Sequence, residues 1–152
     1  MDLWRISNEK SLAGKSGLKY AARWNSAGRR IVYLAESPAG AMVEVLVHLE
    51  LEEDEMPEAY QLLRIGGSPD LPFADITVPA GEAWKTNHGL TRSLGDQWLS
   101  GGKTALARVP CAILRSTFNF LLNPLHSDAG RLQILEAARA DFDLRLFRHL
   151  QG

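Results

Sequence analysis

The sequence predicts a single α+β domain, and three observations carry that expectation. Runs rich in β-branched and aromatic residues recur along the chain, as in "IVYLAE" (31–36) and "AYQLLRI" (59–65). Helix start and stop signals mark only two segments, 38–49 and 91–102. The length of 152 residues suits one domain spanning 1–152, with no internal repeat or low-complexity tract.

Taken in order, "LWRI" (3–6) is a short strand, and the Gly-, Ser-, Asn- and Arg-rich stretch 8–30 is a loop with at most one helical turn. "IVYLAE" is a strand. Ser37 and Pro38 then supply an N-cap and a first helical residue, so a helix is expected over 38–49 despite the alternation in "VEVLVH". Residues 59–65 form a strand, 66–72 a loop and 74–79 a short strand. A helix over 91–102 is capped by Thr91 and closed by glycines. "TALARVP" (104–110) and "CAILRS" (111–116) read as one strand bent at Pro110. An apolar run enters an Asn-Pro turn within 118–126. Strands are expected at 131–136 and 142–147.

Composition narrows the functional classes. Seventeen basic and 18 acidic residues leave a net charge of −1, which gives no general drive toward nucleic acid or an anionic membrane. The lone Cys111 excludes an internal disulfide and suits a reducing cytoplasm. The start "MDLWRISNEK" lacks the pattern of a secretory signal, and no apolar run approaches the roughly 20 residues that span a bilayer. A cytoplasmic protein is expected.

Several motifs read as chance. His48, His88, His126 and His149 are scattered without metal-binding spacing. Glu44 and His48 share a helix face, where a structural hydrogen bond is the simpler account, so no metal is expected. "AGKS" (13–16) lacks the glycine and the leading strand of a phosphate-binding loop, and neither GxGxxG nor GxSxG occurs. Cys111 follows a proline in an apolar segment, as a small buried side chain would.

Arg23, Tyr33 and Glu44 are more informative. Arg23 lies in a loop, Tyr33 on the following strand and Glu44 on the helix after it. An arginine can grip a phosphate in bidentate fashion. A tyrosine ring offers a face to a planar base. A glutamate in apolar surroundings can accept a hydroxyl hydrogen bond and stabilise a cationic transition state. Together they suit a phosphate-bearing ligand with a flat ring and a ribose. The plainer reading has Tyr33 in the core, Arg23 in solvent and Glu44 paired with His48 or an arginine.

The segments "WRIS", "ARWNSAGRRIVYLAESPAGAMVEVLVHLE", "VP-x-AI…N-x-LLNP-x-H" and "D-x-RLF" occur in this order over residues 3–147. Together they resemble the RES domain, the toxin half of bacterial Xre–RES toxin–antitoxin modules. The resemblance implies an ADP-ribosyltransferase-like domain around a split mixed sheet. It implies a type II toxin that depletes NAD, its substrate, by breaking the nicotinamide–ribose bond through hydrolysis or phosphorolysis. The alternatives are protein ADP-ribosylation with NAD as donor, or a weakened enzyme that chiefly binds its antitoxin. Arg23 and Glu44 match the family's arginine and glutamate, Arg5 is a second arginine candidate, and Tyr33 matches the tyrosine between them. The family's serine position after "VP" holds Cys111, a departure. On this resemblance Arg5 and Arg23 hold the pyrophosphate, Tyr33 stacks on nicotinamide and Glu44 engages the ribose. Asn119, Asn123 and His126 shape the pocket, or else their side chains hold the Asn-Pro turn. The implied partner is an Xre-type helix-turn-helix antitoxin, which would make any DNA contact.

Overall fold

A computed structural model describes residues 1–48 and 60–148. Seven strands form one sheet in the order β4-β5-β6-β2-β1-β3-β7. They are β1 (Asp2–Ser7), β2 (Val32–Ala35), β3 (Gln61–Gly67), β4 (Phe73–Asp75), β5 (Leu106–Pro110), β6 (Phe118–Leu122) and β7 (Leu132–Arg139). The helices are α1 (Ser16–Lys19), α2 (Pro38–His48), α3 (His88–Gly101) and α4 (Arg145–Arg148). The sheet is mixed: β4 runs parallel to β5, and the other pairings are antiparallel. Its two halves meet at β1–β2, registered through Trp4 opposite Ala35.

Side-chain alternation divides the core. On one face Leu3, Val32, Leu34, Leu63, Leu106 and Leu122 form a cluster covered by Leu12 and Leu71. The other face carries two clusters. α3 covers one through Trp98, Leu90 and Leu94 over Ala107, Val109 and Leu121, with Trp24 and Trp84 alongside. α2 covers the second through Ala41, Met42 and Val45 over Ile6 and Ala35. Each fully buried aliphatic side chain here contributes about 1.5–3 kcal/mol.

The structure departs from the sequence expectations at several boundaries. Gly66 and Gly67 belong to β3, not to a loop, because their missing side chains leave room for Leu135 and Leu132 of β7. β4 stops at Asp75, two residues into the expected 74–79 strand, and Ile76 and Val78 turn into the α3-side core instead. α3 starts at His88, capped by Asn87, whose side chain accepts from the Leu90 amide at 3.1 Å; Thr91 is a buried interior residue. Gly102, at φ 59°, closes this helix in the left-handed region. Residues 111–116 form a turn rather than a strand. The Cys111 sulfur accepts from the Ile113 and Leu114 amides, and Ser116 sits at φ 61°. The expected strand at 142–147 is replaced by α4, where Asp143 accepts the Arg145 amide at 2.9 Å. The ends of the expected 38–49 helix and 59–65 strand, and His149, fall partly or wholly outside the described residues, as does the Glu44–His48 contact.

Candidate functional site

The site forms at the seam between the α2 and α3 clusters. α2 starts where expected: the Ser37 hydroxyl accepts the Gly40 amide at 2.9 Å, with Pro38 as the first helical residue. Ala41, Met42 and Val45 face the sheet. Glu44 lies roughly 60° around the helix from Ala41, at the border of that buried stripe. The carboxylate is half-buried, and its Oε1 accepts from Asn119 Nδ2 at 2.8 Å and from Cys111 Sγ at 3.4 Å. Asn119 stands on β6 between Ala35 of β2 and Val109 of β5.

Cys111 is buried at the end of β5, so the thiol is a neutral donor. Burial is the main cause pushing its pKa up. The Leu114 and Ile113 amides pull the other way, and the Glu44 charge raises it further.

Across the seam, Tyr33 points toward the 20s loop. Its hydroxyl donates to Asn25 Oδ1 at 2.5 Å and accepts the Trp24 amide at 3.1 Å. Burial pushes this phenol far above its ordinary value of 10.0, so it stays protonated. The ring is half-buried against the α3 cluster. Arg23 precedes Trp24, and its Nη1 donates to the Lys85 carbonyl at 2.8 Å. Trp24 and Trp84 pack with ring centroids 6.2 Å apart, which brings the 83–85 turn against this loop.

The structure thus gathers Glu44, Cys111 and Asn119 directly, and joins Tyr33 to the Arg23 loop. Arg5 does not join them. It alternates on β1 with Trp4 and Ile6, which pack under α2, and shares the Leu3 face. Arg5 therefore projects from the opposite side of the sheet from Glu44, and burial pushes its guanidinium pKa down. Asn123 and His126 are also elsewhere. Asn123 lies four residues beyond Asn119, at about 3.4 Å per residue along the strand direction. Its Oδ1 accepts the Leu125 amide at 3.1 Å, and His126 Nδ1 accepts the Asp128 amide at 2.9 Å, so both side chains serve the Asn-Pro turn. No cluster of three or more metal-ligating side chains exists among the described residues.

A shallow depression of about 560 Å³ is lined by Ser26 and Arg29 and by Arg92, Ser93 and Asp96 of α3. It contains neither Glu44 nor Tyr33. Asn25 escapes a reading from sequence, and Thr91 reads there only as a helix cap. Both are fully buried and hold the Arg23 loop, and no local pattern marks either as buried.

Residues 2–145 match the family model described as RES domain. The chain belongs to the RES domain family. Within that family it is 44% identical over 137 residues to a Toxin Res of Pseudomonas putida, covering 88% of this chain and 92% of the relative. It is 31% identical over 161 residues to a Prs ADP-ribosylating toxin of a Sphingobium species, covering 95% and 96%. The fold is that of a chain in the crystal structure of the M. tuberculosis MbcT–MbcA toxin–antitoxin complex, with a TM-score of 0.73 at 20% identity over 99% of this RES domain and 88% of that chain. No helix among the described residues is long and apolar enough to cross a membrane.

Proposed function

We propose that this RES domain is the enzymatic toxin of a toxin–antitoxin module and consumes NAD by cleaving the bond between nicotinamide and ribose. The observation that carries the reading is the Glu44 carboxylate, held by Asn119 and Cys111 at the seam between two apolar clusters. The relatives named as toxins support it. In this reading Arg23 grips the pyrophosphate and the half-buried Tyr33 ring backs the nicotinamide. Glu44 accepts a ribose hydroxyl hydrogen bond and stabilises the positive charge that develops on the ribose. The C1′–N bond breaks with its electron pair going to the pyridinium nitrogen, so nicotinamide leaves neutral and needs no general acid. Water or phosphate then attacks C1′. No metal takes part. The toxin acts in the cytoplasm, and an Xre-type antitoxin covers the cleft and supplies any DNA contact.

A second reading keeps the same bond cleavage but makes a protein side chain the acceptor. The relative named as an ADP-ribosylating toxin favours it.

The test is nicotinamide release from NAD by purified, partner-free protein, with and without phosphate. We expect release by the native chain and a loss of at least ~100-fold in Glu44→Ala, about 2.7 kcal/mol of transition-state stabilisation. NAD tagged on adenine separates the acceptors: a labelled protein band favours the second reading, and a soluble ADP-ribose product the first. A folded chain that releases no nicotinamide and labels no protein overturns both.

A further inference from the structure

Three consecutive backbone carbonyls of the Arg23 loop each meet a residue of α3. Arg92 Nε donates to the Ala22 carbonyl at 2.9 Å. The Thr91 hydroxyl donates to the Arg23 carbonyl at 2.6 Å. Gly95 lies against the Trp24 carbonyl so closely that an added Cβ would sit 1.7 Å from its oxygen. The next residue, Asp96, accepts from both the amide and the hydroxyl of Ser26, at 3.1 and 2.6 Å. Positions 91, 92, 95 and 96 recur at helical spacing, so one side of α3 carries the whole array.

We infer that α3 is the template that sets Arg23, with Thr91 as the positioning residue for its guanidinium. Thr91 has no exposed surface, and its contact is with the backbone of the arginine itself. A buried hydroxyl on a helix interior normally returns its proton to its own helix, and the His88 carbonyl is available at 3.3 Å. The shorter bond goes to Arg23 instead. With the carbonyl fixed, the side chain reaches the Lys85 carbonyl, and the next amide reaches Tyr33. Arg23 is thereby held from its backbone and its side chain before any ligand arrives, and binding does not have to order the loop. The assignment of Thr91 to ligand binding rests on the proposed NAD reading; its hold on the loop does not.

Thr91→Val keeps the shape and removes the hydroxyl, and Thr91→Ser restores it. Two quantities are measured on the full chain after far-UV circular dichroism shows each variant folded. The first is hydrogen exchange of the Trp24 amide, which needs no substrate. The second is the KM and kcat for nicotinamide release. In Thr91→Val we expect Trp24 exchange to speed up at least tenfold and KM to rise about tenfold with kcat within twofold, both restored by Thr91→Ser. A general loss of stability would speed exchange throughout the sheet and lower kcat as well. Unchanged Trp24 exchange in folded Thr91→Val overturns the inference, as does faster exchange with unchanged KM. If the native chain releases no nicotinamide, the NAD reading fails and Trp24 exchange alone decides the hold on the loop. Should Thr91→Val not fold, Thr91→Ser and Thr91→Ala carry the same measurements.

Discussion

On the resemblance to the RES pattern, Cys111 stands where a serine is expected, and its neighbours show what such an exchange costs. Its thiol donates to Glu44 at 3.4 Å and stays neutral because burial, reinforced by the Glu44 charge, outweighs the two amides on the sulfur. A hydroxyl there would form a shorter, charge-assisted bond of about 2.7 Å. Cys111→Ser is therefore expected to strengthen the hold on Glu44 by about 1 kcal/mol, raising nicotinamide release roughly fivefold. Steady-state kinetics of the two proteins check this, and a slower Cys111→Ser enzyme would mean the sulfur does more than donate. Glu44 itself was legible in the sequence because its type is improbable among Val43, Val45 and Ala41. Its partner Asn119 was legible only as a member of a motif, since nothing in "FNFLL" says that position 119 faces a helix 75 residues earlier.

Elements were legible where their signals are local. The Ser37–Pro38 start of α2 and the β-branched run of β2 came out as expected because capping and strand propensity act within a few residues. The stretches 111–116 and 142–147 failed for the complementary reason. Their apolar residues read as strands, yet a sulfur accepting two amides folds the first, and an aspartate capping one turn folds the second. α3 shows how an element serves a site it does not carry. Gly95 is a poor helix former, and alanine would ordinarily gain about 1 kcal/mol. Here the added methyl would lie 1.7 Å from the Trp24 carbonyl, and that oxygen is backbone and cannot swing aside. Overpacking of about 1–3 kcal/mol then outweighs the gain in propensity. Gly95→Ala is expected to lower Tm by a few degrees in a thermal melt, and an unchanged or higher Tm would show that the loop gives way without cost.

The sheet is one continuous ladder whose halves meet at Trp4 and Ala35, and α2 packs across that junction on Ile6 and Ala35. Shared burial across the junction predicts a single cooperative transition. Trp4 reports on one half, while Trp24, Trp84 and Trp98 report on the other. Urea unfolding followed by tryptophan fluorescence and by far-UV circular dichroism should give coincident curves; separated midpoints would show that the halves unfold independently. The sequence by itself determined the class of fold, the helix that bears Glu44 and the loop that bears Arg23, because period, caps and motif order are local properties of the chain. Only the tertiary structure decided that Arg5 lies across the sheet from Glu44, that Asn123 and His126 hold a turn, and that α3 grips the Arg23 backbone. A side chain's face depends on which strand pairs with which and what packs above it, and those partners lie tens of residues away.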